Sequence, residues 1–264
     1  EQSLLVRSSP DGKMQLFPNQ AVPELNLEVL YVKKEYNYLS SLGKNLKAAV
    51  DFGVWGFFAE IILRGLQFFY GLAANWGVSI ILLTFVVRLI TFPLQYKSFV
   101  SMKKMQVIQP ELTKLREKYK DDPMRMQKES MDLFKRAGAN PLGGCLPLLL
   151  QLPVFFAFYK VLSSAVELVD APFYGWIHDL SNKDPYYFLP LIVTGAMFLQ
   201  QKLTPQTITD PVQRKIFLFM PLIFGFIMKD MPSGLSLYIF VSTMLGIGQQ
   251  LLVFRMIKDK PVVV

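Results

Sequence analysis

Apolar residues in this chain gather into long blocks divided by short charged connectors. Five blocks, residues 76–96, 142–164, 186–202, 212–228 and 234–257, approach or exceed the roughly 20 apolar residues that a helix needs to cross the hydrocarbon of a bilayer. Pro147, Pro153 and Pro221 lie inside them, which membrane helices tolerate when neighbours satisfy the freed carbonyls. A sixth apolar stretch, 52–74, is patterned differently. Glu60, Arg64 and Gln67 share one helical face, opposite Trp55, Phe58, Ile62, Leu66 and Phe69, the pattern of an amphipathic helix lying on a membrane surface. A sixth span is the alternative, and it would put the following connectors on the wrong sides.

Between the first and second blocks, residues 97–140 read as a helical hairpin. Met102, Met105, Leu112, Leu115 and Tyr119 recur at three- and four-residue spacing, as do Met124, Met131 and Phe134. Asp122 can cap the second arm with Pro123 in its first turn, and Gly138 can end it. Pro110 is expected to kink or divide the first arm. Residues 1–50 look soluble, and Leu25, Leu27, Val29 and Tyr31 alternate in a strand-like period. Fifty residues make a poor independent core, so this segment is expected to be the end of a larger extracytoplasmic domain. The predicted fold is thus an all-α membrane protein. It has a five-helix core, a hairpin, an outer-surface amphipathic helix and a short β-like N-terminal remnant.

Charge assigns the sides. Residues 97–140 hold eleven lysines and arginines, whereas 167–185 hold one lysine against four acids. Basic connectors stay in the cytoplasm, giving an outside N-terminus and a cytoplasmic C-terminus, and five spans fit that parity. An outside N-terminus needs something upstream to send it across, expected as a signal anchor ahead of residue 1. The hairpin's net basic surface reads as a solvated face, or as a docking face for ribosomal RNA or lipid headgroups. The lone Cys145 excludes an internal disulfide, and His178 is the sole histidine, so neither a metal cluster nor a His-based triad has material; no cofactor is expected.

Arg88 stands near the middle of the first apolar block. A cation there costs about 2.5–3.5 kcal/mol on insertion scales and normally faces protein or water. The span interiors contain no Asp or Glu to pair with it. The cytoplasmic end lies about 12 Å away at helical rise, too far for easy snorkelling. Backbone carbonyls or a watery cavity inside the bundle remain, and the cavity is the more economical. Thr84 and Thr91 flank Arg88 on its own face; Gln151, Gln200, Gln201, Ser236, Ser242 and Thr243 punctuate other spans. Each alone reads as a helix–helix hydrogen bond, and together they suggest a groove.

These residues also carry a resemblance. The stretches Asn75-Trp76-Gly77-Val78-Ser79-Ile80, Val87-Arg88, Thr91-Phe92-Pro93-Leu94, Asn140-Pro141-Leu142-Gly143-Gly144-Cys145-Leu146-Pro147, Gln151-Leu152-Pro153-Val154, Trp176-Ile177-His178-Asp179-Leu180, Asp184-Pro185-Tyr186-Tyr187, Gln201-Lys202-Leu203-Thr204-Pro205, Thr209-Asp210-Pro211 and Met231-Pro232-Ser233-Gly234-Leu235-Ser236-Leu237-Tyr238 fall in an order similar to that of the YidC/Oxa/Alb membrane protein insertases. The resemblance covers roughly residues 51–257. It implies a five-helix core with a positively charged hydrophilic groove, open to cytoplasm and lipid. Arg88 matches the groove arginine and Gln151 a groove-lining glutamine. Ile239 stands where some members carry tryptophan, and the chain stops at Val264 without a long basic tail.

The implied function is non-enzymatic insertion of newly made membrane proteins into a bacterial inner membrane. The expected groove set is Arg88, Thr84, Thr91, Gln151, Gln201 and Ser236. Expected partners are nascent clients, the ribosome, the Sec translocon and lipid. The expected division is 1–50, the end of a periplasmic domain; 51–74, the interfacial helix; 75–257, the core; and 258–264, a cytoplasmic tail. A small-solute transporter or channel is the competing class, weakened by the lack of repeated halves or a buried carboxylate relay. A chaperone that binds spans without moving tails is a third.

Overall fold

The computed structural model describes residues 4–8, 14–18, 36–41, 53–144, 146–204 and 211–258. The chain divides into two compact units, Glu1–Lys33 and Lys34–Val264. In the first, strands β1 (Leu4–Ser8) and β2 (Met14–Pro18) pair antiparallel, with Leu4 opposite Pro18 and Ser8 opposite Met14. The strand-like alternation from Leu25 to Tyr31 lies outside the described residues.

The second unit is mostly helical. A short helix α1 (Tyr36–Ser41) precedes α2 (Gly56–Ala73). Helix α2 buries Ala59, Ile62, Leu63 and Leu66 against its neighbours and pairs Glu60 with Arg64 on another face. Phe57, Phe58, Ile61, Phe68 and Leu72 remain exposed. Packing against neighbouring helices claims only the narrow strip around Leu63. The wider apolar arc is left outward.

Helix α3 (Trp76–Lys118) is the longest element. Asn75 starts it, its side chain accepting from the Val78 amide at 3.0 Å. It joins the first apolar block to the first arm of the hairpin without a break, passing through Pro93 and Pro110. Pro110 therefore does not divide the arm; a proline removes one amide donor, and its neighbours here keep helical geometry. Helix α4 (Pro123–Arg136) returns along it, with Asp122 accepting from the Arg125 amide at 3.0 Å and Gly138 at φ +57° after its end. The hairpin core is Met105, Ile108, Leu112 and Leu133, with Leu115 and Phe134 packed on it. Met124 and Met131, expected in that core, face outward, Met124 at 84% exposure. The inward stripe of α4 instead runs through Met126, Ser130, Leu133, Phe134 and Ala137 at helical spacing.

Helices α5 (Leu146–Ser164), α6 (Phe188–Leu203), α7 (Pro211–Met228) and α8 (Ser233–Lys258) complete the unit. Helix α8 packs along α3 and α6; α7 packs on α6, and α2 on α3 and α5. The shared core gathers Leu63 and Leu66 of α2, Ile80 of α3, Phe158 and Leu162 of α5, Val193 of α6, and Leu235 and Tyr238 of α8. Two close approaches depend on missing side chains: a Cβ on Gly77 would fall 2.0 Å from the Phe173 ring, and one on Gly225 would fall 1.9 Å from Thr194 Oγ1. Trp76–Lys118 and Ser233–Ile257 are long and apolar enough to cross a membrane, and Leu149–Ser164, Phe188–Leu203 and Lys215–Met228 are shorter apolar helices. On α7, Ile216, Phe219, Leu222, Ile223, Phe226 and Ile227 are all exposed. So continuous an outward apolar surface suits lipid rather than water.

The connector between α5 and α6 is pinned to the start of α8. The Ser233 amide donates to the Asn182 carbonyl at 2.7 Å and the Gly234 amide to the Leu180 carbonyl at 2.9 Å. Ser233 Oγ donates to the Asp179 carbonyl at 2.8 Å. Asp184, nearly fully buried, accepts from Trp176 Nε1 at 3.1 Å, the Tyr186 amide at 3.1 Å and the Leu189 amide at 2.7 Å. Three donors and the positive end of α6 together offset the cost of burying that carboxylate.

Candidate functional site

A polar network crosses the apolar interior where α3, α5 and α8 meet. Arg88 of α3 donates through Nε to Ser242 Oγ of α8 at 3.0 Å, and through one terminal nitrogen to Gln95 Oε1 at 2.9 Å. Gln95 sits two turns further along α3, and its Nε2 donates to Thr91 Oγ1 at 3.0 Å. Thr91 in turn donates to the Val87 carbonyl at 2.8 Å. From α5, Gln151 Nε2 donates to the Tyr238 hydroxyl and lies 3.4 Å from Ser242 Oγ. Tyr238 is buried and stacked on Phe158, ring centroids 4.2 Å apart, which fixes where its hydroxyl points. The backbone of Arg88 is engaged too: its carbonyl accepts from Gln249 Nε2 at 3.1 Å.

Helix periodicity builds this arrangement. Thr84, Arg88, Thr91 and Gln95 are spaced four, three and four residues apart, one stripe of α3 turned toward α8. On α8, Tyr238, Ser242 and Gln249 follow at four and seven, with Gly246 between. A Cβ on Gly246 would lie 3.3 Å from both terminal guanidinium nitrogens of Arg88 and from Gln200 Nε2, so bare backbone at this point leaves the guanidinium its place.

The electrostatics follow from who the partners are. Ser242, Gln95 and Gln249 are all neutral. Among the described residues the ion pairs are Arg64–Glu60 and Lys229–Asp230, neither near Arg88. Arginine has five N–H donors and no route to neutrality in a protein. Two of the five are engaged by Ser242 and Gln95. The site therefore presents a held, uncompensated positive charge, suited to attracting an anionic group without carrying out covalent chemistry on it.

The six residues singled out in the sequence divide into two groups. Arg88, Thr91 and Gln151 belong to one connected network. Thr84 is fully buried, and its hydroxyl donates to the Ile80 carbonyl of its own helix at 2.6 Å. Gln201 donates to the Phe217 carbonyl and so ties α6 to α7. Ser236 is 1% exposed, and its Oγ has no hydrogen-bond partner among the described residues. Gln95, Tyr238 and Gln249 were not singled out by sequence. The signal for Gln95 is its place seven residues after Arg88, on the same face of the predicted span.

Comparison with known proteins places these residues in context. The sequence profile of the 60Kd inner membrane protein family matches residues 68–260. The chain is 48% identical over 241 residues to the membrane protein insertase YidC of Wolinella succinogenes, covering 91% of this chain and 45% of that protein. It is 44% identical over 237 residues to the insertase of the same name from Helicobacter pylori strain 26695, covering 90% of this chain and 43% of that protein. The chain thus spans somewhat under half the length of the curated relatives it matches. Among solved structures, the crystal structure of an active YidC insertase with its first transmembrane domain resolved superposes with a TM-score of 0.60 at 29% identity, covering 74% of this chain and 46% of that one.

Proposed function

The chain belongs to the 60Kd inner membrane protein family, and from that premise we propose that it inserts newly made proteins into a bacterial inner membrane, with Arg88 as the attractor for the segment that must cross. It is a membrane protein of mostly helical build. Helices α3, α5, α6, α7 and α8 are the five spans of the core. The 97–140 hairpin and the tail from residue 258 lie in the cytoplasm, and residues 1–50 are the end of a periplasmic domain. Helix α2, within 51–74, lies along the outer surface. The basic hairpin supports that orientation, as do the exposed Tyr174, Tyr186 and Phe188 around α6's opposite end, residues suited to a headgroup boundary.

The observation carrying the proposal is a guanidinium held inside the bundle by neutral groups. An anion 4 Å away gains about 4 kcal/mol at an effective dielectric of about 20, enough to favour entry of an acidic or polar client tail from the cytoplasm. Thr91, Gln95, Gln151 and Ser242 supply polar lining. At its margins Gln201 ties α6 to α7, while the buried Thr84 and Ser236 back the groove without hydrogen bonds to other helices among the described residues. The client's apolar helix then leaves into lipid, driven by burial of apolar surface. Nascent membrane proteins are the clients. The hairpin meets them near the ribosome or the Sec translocon, through its basic face.

Proteoliposomes carrying the protein test this directly. Arg88→Ala should lower insertion of a client with a short acidic tail by roughly tenfold or more, while a neutral-tailed client is spared. Arg88→Lys should fall between, since it keeps the charge and loses the fork. Undiminished insertion of the acidic-tailed client by Arg88→Ala would overturn the charge-capture role.

A further inference from the structure

We infer that Gln95 is the positioning residue of this site: a deliberately neutral anchor that orients the Arg88 guanidinium while leaving its charge unspent for an acidic client segment. This rests on the insertion reading above and adds a second residue on which selectivity for acidic tails depends.

The polarity of the Gln95 amide is fixed by its surroundings. Thr91 uses its hydroxyl proton on the Val87 carbonyl, so its oxygen has lone pairs to offer. Only the NH2 end of Gln95 can meet them, which it does at 3.0 Å. The carbonyl end is thereby turned to Arg88, 2.9 Å away. The proton order runs one way, from Arg88 to Gln95 to Thr91 to the Val87 carbonyl. Gln95 is 5% exposed, so its carbonyl meets the guanidinium in a setting where water screens little.

The chemical type of this anchor matters. Glutamine and glutamate have nearly the same shape, and a glutamate at 95 would reach the same nitrogen. It would form a desolvated ion pair, and the field that draws an anion would collapse onto a partner already in place. An aliphatic side chain would leave the charge intact but let the guanidinium swing about its remaining tie to Ser242. The two substitutions therefore separate charge from position. Glutamine supplies both a fixed direction and a free charge; neither variant does.

The experiment compares Gln95→Glu, Gln95→Leu, Arg88→Ala and the double variant Gln95→Glu/Arg88→Ala in proteoliposomes, each with an acidic-tailed and a neutral-tailed client. Thermal unfolding in detergent checks that each is folded. Expected is a loss of acidic-tail insertion by Gln95→Glu to the Arg88→Ala level, about tenfold relative to the neutral tail in the same variant. Gln95→Leu should lose about threefold on the acidic tail, and the double variant should be no worse than Arg88→Ala. The ratio between the two clients is the decisive readout, because a merely structural defect would lower both alike. Wild-type acidic-tail insertion by Gln95→Glu, alongside an inactive Arg88→Ala, overturns the role of Gln95 and leaves the insertion reading standing. Equal loss of both clients by Gln95→Glu and Gln95→Leu reduces Gln95 to scaffold and overturns it too. A fully active Arg88→Ala sinks the charge-capture reading and this inference with it.

Discussion

Ser242 receives two donors from two different helices, Arg88 Nε of α3 and Gln151 Nε2 of α5, so one hydroxyl joins three elements. Replacing it by alanine removes both contacts while leaving the guanidinium charged. Interhelical hydrogen bonds in membranes average about 0.6 kcal/mol and reach about 1.7, so Ser242→Ala should lower the thermal midpoint in micelles modestly. It should also reduce acidic-tail insertion less than Arg88→Ala does, and an equal or larger loss would mean that Ser242 rather than the charge governs capture. Arg88 is legible from sequence because a charge amid apolar residues is costly and must be accounted for. Thr84 and Ser236 look equally polar on paper, yet Thr84 spends its hydroxyl on its own helix, and Ser236 faces the packed interior. Gln95 escapes notice for the opposite reason. It lies two residues beyond Pro93 and two before Lys97, at the very end of the predicted span.

At the level of elements, hydrophobic blocks locate the start of α3 and both ends of α5, α6, α7 and α8 to within a few residues, because apolar runs of this length have few other uses. The capping residues of α4 are equally readable in Asp122, Pro123 and Gly138. What is hidden is continuity. A proline counts as a breaker in isolation, yet α3 runs through Pro110 into the hairpin as one helix, with α4 packed along it. The join of α2 to α3 is equally hidden. Exposed Ala74 sits at φ 50°, ψ 24° and closes α2 by donating its amide to the Tyr70 carbonyl at 2.8 Å, just before Asn75 caps α3. A left-handed backbone costs an L residue about 1 kcal/mol that glycine does not bear. Ala74→Gly should therefore raise the unfolding midpoint by the equivalent of a few tenths to about 1 kcal/mol, the gain being trimmed by glycine's greater freedom when unfolded. A lowered midpoint in a thermal scan would contradict this.

For the whole molecule, the asymmetry of charge supports the proposed orientation. A labelling experiment checks it: in a Cys145→Ser background, Lys120→Cys at the hairpin tip should react with a membrane-impermeant maleimide only from the cytoplasmic face, and Tyr186→Cys only from the opposite one. Reaction of both from one side would reverse or abolish the assigned sidedness. Lysine and arginine counts alone suggest this division, since sidedness follows the bias of those residues between short connectors rather than the fold. They say nothing of how the helices touch. The polar seam between α3 and α8 emerges only when both are set side by side, because it needs stripes from two segments about 150 residues apart.

That seam has a mechanical consequence. Arg88 is fastened to α8 twice, by its side chain at Ser242 and by its own carbonyl at Gln249, anchor points two helical turns apart and about 10 Å along the axis. Two ties at separate heights resist both sliding and pivoting more than either does alone. Shear of α8 past α3 would break both ties and cost the guanidinium its Ser242 contact, so these two helices are expected to move as one body.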